Sequence, residues 1–222
     1  MERGTILDSM TYRNDARQKN VQAVLFDLDG VLIDSYHAWY RQFNDALKHF
    51  GHKPISQRVF RQHWGQSTEE DVRIFMPERT VAEVKNYFSR HFDEYISYLE
   101  VDPYARQVLQ KMKRMRLKLG CVTNSHRDIV TKILKNTRLE KFFEVVITAD
   151  DVENPKPAPD MLVRACQHLK VAPRNTLFVG DTLTDMQAGK RAGCVVIGYK
   201  TRAKLSVKNL TRFLALLEDL YR

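Results

Sequence analysis

Short apolar runs that alternate with amphipathic patterns are the feature that most constrains how this chain can fold. Five of these runs are rich in Val, Ile, Leu and Phe and have the length of buried strands. They are residues 22–27, 118–123, 144–148, 176–180 and 194–199. Buried strands of this kind, separated by helices, are typical of an α/β fold with a parallel sheet.

Helical patterns fill the spaces between the last four runs. They cover residues 126–137, 158–170 and 183–192, and Gly193 follows the third, where a helix often ends in a left-handed residue. Residues 206–222 form one further amphipathic pattern that predicts a closing helix. We therefore predict a doubly wound parallel sheet with helices on both faces.

One segment interrupts the alternation directly after the first run. From residue 35 to residue 99 the pattern is helical, most clearly over 36–50 and 80–99. An insertion at this point lies over the carboxyl ends of the strands, where open α/β sheets bind ligands. We therefore predict an N-terminal arm over residues 1–20, an α/β core over 21–34 and 101–222, and a helical cap over 35–100.

Composition excludes several classes of protein. With 222 residues, 43% of them hydrophobic, the chain is long enough for a sizeable core, yet no apolar run approaches the ~18 residues of a membrane-spanning helix. The first twenty residues are polar and carry both charge signs, unlike a secretory signal or a transit peptide. Cys121, Cys166 and Cys194 are widely spaced in apolar contexts, which indicates buried thiols rather than a disulfide or zinc site. We expect a cytoplasmic protein without a membrane partner.

The formal net charge of +9 does not by itself indicate a nucleic-acid partner. Lys and Arg are spread along the chain and interleaved with acids, as on a solvated surface. A second interpretation is that a positive field attracts small anionic substrates. We do not expect nucleic-acid binding, and the sequence does not indicate an oligomeric state.

Polar side chains follow four of the predicted strands. Because parallel strands end at the same edge of a sheet, these side chains are expected to converge on one crevice. The set contains four acids, one lysine, two residues with hydroxyl groups and one with an amide. They are Asp27, Asp29, Thr123, Asn124, Ser125, Lys156, Asp181 and Asp185.

Four clustered acids would repel one another strongly without a cation. Oxygen ligands with no nearby His or Cys favour a hard ion, and Mg²⁺ is the usual choice where a phosphate shares the site. Lys156, Thr123 and Asn124 then suit the remaining phosphate oxygens. One carboxylate could act as a nucleophile, and a second, two residues later on the same side of an extended chain, could move a proton.

These residues fall into four ordered motifs that resemble those of the haloacid dehalogenase-like hydrolases. The motifs are 27-DLDG-30, 123-TNS-125, Lys156 within KPAPD, and 180-GDTLTD-185, and the likeness covers nearly all of the chain beyond about residue 21. The helical insertion resembles the cap of the subfamily that carries it after the first motif. The resemblance implies an α/β core of that family with an inserted helical cap domain.

The resemblance also implies roles. Asp27 would be the nucleophile and a Mg²⁺ ligand, and Asp29 the general acid and base, with its main-chain carbonyl on the metal. Thr123, Asn124 and Lys156 would bind the phosphoryl group. Asp181 would ligate Mg²⁺, with Asp185 supporting it.

The segment 65-GQSTEED-71 resembles the cap loop that reaches the active site in this family. Gly65 would supply a turn, and Gln66 and Ser67 could contact substrate. The alternative is a helix N-terminus capped by Ser67 or Thr68, with Glu70 in its first turn. Both can hold at once.

Together these features predict a Mg²⁺-dependent phosphatase of a small phosphorylated metabolite, similar to phosphoglycolate phosphatases. A β-phosphoglucomutase-like phosphotransferase is an alternative, although that family has a His where this chain has Trp39, and a basic cap residue where it has Thr68. Nucleotidase and pyrophosphatase activities stay open. A non-catalytic binder of a phosphorylated ligand is disfavoured because all the motif acids are present.

Overall fold

The computed structural model describes residues 20–221 of the chain, and within this range it contains eight strands. These are β1 Ala23–Phe26, β2 Ile33–Asp34, β3 Glu100–Val101, β4 Lys118–Val122, β5 Val145–Ile147, β6 Thr176–Gly180, β7 Val195–Tyr199 and β8 Ser206–Val207. Six of them form one parallel sheet in the order β5-β4-β1-β6-β7-β8. β1 lies at the centre, with β4 on one side and β6 on the other.

Nine α-helices lie in the same range. They are α1 Tyr36–His49, α2 Gln57–Gln62, α3 Thr68–Phe75, α4 Val81–His91, α5 Ala105–Arg114, α6 Arg127–Thr137, α7 Asp160–Leu169, α8 Leu183–Ala192 and α9 Leu210–Tyr221. Short 3₁₀ segments occupy Phe92–Tyr98, Glu140–Phe142, Ala149–Asp151 and Pro173–Asn175.

Alternate residues of the central strand point to opposite faces of the sheet, as the period of two requires. On β1, Val24 and Phe26 belong to one apolar cluster, and Ala23 and Leu25 belong to the other. α7 packs in the smaller cluster, and α5, α6 and α9 contribute to the larger one. Helices therefore cover both faces, and the doubly wound parallel sheet predicted from the alternating pattern is confirmed.

The five predicted strands are all present, but the C-terminal segment differs from the prediction of a single helix over 206–222. Ser206 and Val207 pair with Gly198 and Tyr199 as a sixth, edge strand. α9 begins only at Leu210, after Asn209. A strand of two residues is too short to leave a periodic pattern, so the amphipathic signal of the helix extended over it.

The helical insertion follows β1 and contains α1 to α4 and the 3₁₀ segment Phe92–Tyr98. The chain leaves the core through β2 and returns through β3, and these two strands pair in antiparallel fashion. Phe43, Phe88 and Phe92 of the insertion lie in the same apolar cluster as one face of the sheet. The boundaries of 35 and 100 stay a prediction, and the N-terminal arm lies outside the described residues except for Asn20.

All three cysteines are buried and free, as expected for small apolar side chains. Between residues 20 and 221, no helix has the length and apolar character needed to cross a membrane.

Candidate active site

The side chains predicted to converge do meet at the carboxyl ends of the central strands. Six of them line one pocket of about 80 Å³ between the sheet and the helical insertion, whereas Asp181 and Asp185 are not among the lining residues. From the core, it is lined by Asp27, Asp29, Thr123, Asn124, Ser125, Lys156 and Thr182. From the insertion, it is lined by Trp39, Phe43, Phe60, His63, Trp64, Gly65, Gln66, Thr68, Asp71 and Phe88.

Lys156 lies at the centre of the core end and is only 3% exposed. Its Nζ lies 2.9 Å from Asp27 Oδ1 and donates to Asp185 Oδ1 at 2.7 Å and to the Val122 carbonyl at 3.2 Å. Burial acts to lower the pKa of Lys156, but Asp185 and Asp27 outweigh it and raise the pKa above its usual value. The ammonium group is therefore a fixed positive charge between two carboxylates.

Asp27 follows β1 directly and is 6% exposed. Its Oδ1 accepts the backbone N–H of Leu28 at 2.9 Å as well as facing Lys156. Burial, and next the negative charge of Asp185, raise the pKa of Asp27 well above its usual value, although Lys156 acts in the opposite direction. The side chain is thus held in place, but Lys156 alone does not offset its burial and the negative charge of Asp185.

Asp27, Asp181 and Asp185 each place a carboxylate oxygen within 4.8 Å of the others. Asp185 is saturated, because Lys156 donates to one oxygen and the Thr182 backbone and hydroxyl to the other. Asp181 is not: its Oδ1 is buried without a hydrogen-bond partner among the described residues. Burial and Asp185 raise the pKa of Asp181 to about 7. Oxygen donors, a missing partner and an excess of negative charge all fit a hard divalent cation.

Gly30 brings the first motif close to this acidic cluster. Its φ of +79° lies in the left-handed region, and a Cβ at this position would be 2.1 Å from Asp181 Oδ2. Only glycine allows the turn after Asp29 to approach Asp181 so closely.

Asp29 turns away from the acidic cluster and accepts hydrogen bonds from four side chains. Ser35 Oγ and Trp39 Nε1 donate to Oδ1 at 2.5 and 3.0 Å. Ser125 Oγ and Thr123 Oγ1 donate to Oδ2 at 3.0 and 3.4 Å. Because Trp39 belongs to α1, the insertion itself helps to orient this carboxylate.

Asn124 has its side-chain amide engaged by the protein. Nδ2 donates to the Lys156 carbonyl at 2.9 Å and to the Gly65 carbonyl at 3.2 Å, while Oδ1 accepts the Lys156 backbone N–H at 3.0 Å. These contacts fix the main chain of the lysine loop and tie it to the insertion. Thr123 Oγ1 accepts the Ser125 backbone N–H at 3.1 Å.

The segment 65–71 contacts the core, as the sequence suggested. Gly65 has a φ of +84°, and a Cβ there would be 2.6 Å from Thr182 Cγ2. Trp64 Nε1 donates to Asp181 Oδ2 at 3.3 Å. Gln66 lines the pocket, whereas Ser67 is not among the lining residues, and its hydroxyl caps α3 by accepting the Glu70 backbone N–H.

Several lining residues were not singled out from the sequence as site residues, chiefly Trp39, His63, Trp64 and Asp71. Asp71 stands in the quoted cap-loop segment, where an acid in the first turn of a helix is ordinary. The one signal was its short distance along the chain from Gln66. The tryptophans gave no signal, because aromatic residues at helical spacing usually form core.

A parallel α/β sheet, a helical insertion after the first strand and acids at strand ends define a hydrolase-like site. The model of the haloacid dehalogenase-like hydrolase family matches residues 24–199, and the chain belongs to this family. The sequence resemblance is therefore confirmed.

Three similar proteins illustrate the relationship. The pyrophosphatase PpaX of Anoxybacillus flavithermus is 31% identical over 179 residues, which are 81% of this chain and 83% of that one. The phosphoglycolate phosphatase of Shigella boydii is 34% identical over 170 residues, 76% of this chain and 61% of that one. The structure of a hydrolase from Pseudomonas syringae has a TM-score of 0.80 at 21% identity, covering 90% and 100% of the two chains, and supports the fold alone.

Proposed function

We propose that this chain is a Mg²⁺-dependent phosphatase that hydrolyses a small phosphorylated metabolite through an aspartyl-phosphate on Asp27. One observation carries the proposal: Asp27 faces the Lys156 ammonium at 2.9 Å on the floor of the pocket, and Asp29 is oriented by four donors beside it. The names of two relatives, a pyrophosphatase and a phosphoglycolate phosphatase, support phosphate release as the reaction.

Asp27, Asp181 and the main-chain carbonyl of Asp29 would hold Mg²⁺, and Asp185 would support them. When bound, the ion neutralises the crowded carboxylates and the phosphoryl oxygens. The unpartnered Oδ1 of Asp181 supports this assignment.

In the first step, an oxygen of Asp27 attacks phosphorus and the bond to the leaving oxygen breaks, while Asp29 gives that oxygen a proton. In the second step, Asp29 takes a proton from a water molecule that attacks the same phosphorus. Phosphate leaves, and the Asp27 carboxylate is restored. Lys156 holds Asp27 in position and offsets negative charge throughout.

The remaining residues have supporting parts in the proposal. Thr123, which lines the pocket, would bind the phosphoryl group. Asn124 would act mainly by positioning, because its amide already binds the main chain of Lys156 and Gly65. Trp39 would position Asp29. Three buried thiols suit a reducing compartment, so we place the protein in the cytoplasm.

The test uses p-nitrophenyl phosphate with and without Mg²⁺, on the wild type and Asp27→Asn. We expect turnover only with Mg²⁺, and a loss of about 10³-fold or more in the variant. Borohydride reduction during turnover should convert Asp27 to homoserine, which peptide mass spectrometry detects. Equal rates for the two proteins would reject the proposal, and stoichiometric transfer to an added sugar phosphate without phosphate release would favour the phosphotransferase.

A further inference from the structure

The end of the pocket that the insertion forms has a polar group of its own. His63 Nδ1 and Gln66 Oε1 are 3.2 Å apart, and Gln66 Nε2 donates to Asp71 Oδ1 at 2.5 Å. All three residues line the pocket. We call this chain of three side chains the cap triad.

The cap triad is set in an aromatic wall. Five aromatic residues line the same pocket: Trp39, Phe43, Phe60, Trp64 and Phe88. Burial raises the pKa of Asp71 to about 7, with smaller contributions from the charges of Glu69 and Glu70, while the Gln66 hydrogen bond acts to lower it. The protonated acid can donate a hydrogen bond to a hydroxyl group and the carboxylate can accept one, whereas an anion on the leaving group would be repelled whenever Asp71 is ionised.

Positive charge is scarce at this end of the pocket. Among the described residues that line it, Lys156 is the single lysine and no arginine occurs. Lys156 is already shared by Asp27 and Asp185 at the core end. Among these lining residues, His63 is the one basic side chain that the insertion supplies, and its Nδ1 already faces Gln66. A carboxylate or second phosphate near Asp71 would therefore have no lysine or arginine of the insertion to balance its charge, which is unfavourable.

The size of the pocket limits the leaving group as well. Its volume of about 80 Å³ includes the space beside Asp27 where the phosphoryl group would bind. A compact leaving group is therefore favoured over a large one.

We propose, on the basis of the phosphatase function above, that the cap triad selects phosphate monoesters of small, neutral, hydroxylated alcohols. Asp71 and Gln66 bind a hydroxyl of the leaving group, and the same acid rejects leaving groups that carry a carboxylate or a second phosphate. The substrate class is thus a short polyol phosphate rather than phosphoglycolate or pyrophosphate.

The test compares glycerol 3-phosphate with 3-phosphoglycerate, which differ only in a CH₂OH group against a carboxylate. We expect kcat/KM to be about 10-fold or more higher for glycerol 3-phosphate, with phosphoglycolate and pyrophosphate also poor. In Asp71→Asn the ratio should fall towards one, and in Asp71→Lys it should reverse. Glu69→Gln removes an exposed acid of the same helix turn that does not line the pocket, and should keep the wild-type ratio.

The outcomes separate this inference from the function on which it rests. If the wild type hydrolyses p-nitrophenyl phosphate but prefers 3-phosphoglycerate or pyrophosphate, the inference is wrong and the phosphatase stands. The inference is equally wrong if Asp71→Asn is folded by circular dichroism and keeps the wild-type ratio. If no phosphate ester is hydrolysed, the phosphatase function itself fails.

Discussion

At the end of the pocket formed by the sheet, Asp29 accepts hydrogen bonds from four side chains. At the end formed by the insertion, Asp71 accepts one among the described residues, from Gln66. The core end also contains a buried lysine, whereas the cap end has aromatic walls. Strand ends in a rigid sheet can hold charged groups at fixed distances, as the reacting groups of a catalytic site require. Short cap helices supply a surface whose polarity can vary, and this suits the choice of leaving group.

The largest expected effect on activity and stability is that of Lys156→Met, at the core end of the pocket. This change leaves Asp27 and Asp185 buried together without their shared cation, so one of them must bind a proton or the fold must relax. We expect a loss of activity of about 10³-fold and a loss of roughly 3–5 kcal/mol in the free energy of unfolding. Urea unfolding and p-nitrophenyl phosphate kinetics measure both.

Lys132→Met is the control for removal of a lysine from an ion pair. Lys132 pairs with Asp93 in the part-exposed contact between α6 and the insertion, at 2.9 Å. An exposed pair contributes about 0–1 kcal/mol, so stability and activity should change little. If Lys156→Met kept its stability, the description of the core end as a charge-balanced cluster would be wrong.

The core end of the pocket was largely predictable from the sequence because its signals are local. Asp27 and Asp181 directly follow apolar runs with the pattern of buried strands, Asp29 comes two residues after Asp27, and parallel strands end at one edge. At the cap end, Gly65 and Gln66 were expected near the site, but the position of Asp71 was not predictable. Whether Asp71 faces solvent or a pocket depends on how α3 is rotated against α1 and the core, and an amphipathic pattern does not specify that rotation for a polar residue in a first turn.

Side-chain pairing was also beyond the sequence. Asn124 was expected at the phosphate, yet its amide binds the main chain of residues 32 and 59 positions away. Trp39 gave no sign that its indole N–H reaches Asp29, ten positions back, because the direction of a side chain on α1 depends on how the insertion sits over the sheet. Such contacts follow from tertiary packing rather than from local pattern.

A middle-sized effect is expected where the two ends touch, at Gly65. A Cβ there would lie 2.6 Å from Thr182 Cγ2, so Gly65→Ala should push the cap loop away from the core. We expect kcat/KM for p-nitrophenyl phosphate to fall about 10-fold, because a loosened loop exposes the reacting groups to water. The backbone strain of alanine at positive φ should cost about 1 kcal/mol of stability.

Gly51→Ala is the control that separates the contact of a Gly65 Cβ with Thr182 from the backbone strain of alanine at positive φ. Gly51 has nearly the same φ, +87°, but a Cβ there meets no atom within 4 Å. This variant should lose a similar free energy of unfolding and keep the wild-type activity. Equal activity losses in the two variants would mean that the Gly65 contact with Thr182 does not hold the cap loop.

The last expected effect is a pH dependence of stability that belongs to the cap end alone. The pKa of Asp71 rises from 3.8 to about 7 on folding, so the folded state holds this proton more tightly than the unfolded chain does. Below about pH 4 the Asp71 side chain is protonated in both states and does not reduce the free energy of unfolding. As the pH rises to 7, the buried carboxyl group reduces the free energy of unfolding increasingly. The neighbouring groups Gln66, His63, Glu69 and Glu70 are unchanged by Asp71→Asn. The stability of this variant relative to the wild type should then increase between pH 5 and pH 8, by on the order of 2 kcal/mol given the partial exposure of the side chain.

Urea unfolding of both proteins at pH 5 and pH 8 measures the change. The buried acids of the core end titrate in both proteins, so their contribution cancels in the difference. Glu69→Gln removes only a minor contribution to the pKa of Asp71 and should show a much smaller pH dependence. A constant difference between Asp71→Asn and the wild type would mean that Asp71 is as well solvated as a surface acid. The cap end would then have no dry acid with which to reject an anionic leaving group, and the contrast between the two ends of the pocket would lose its physical basis.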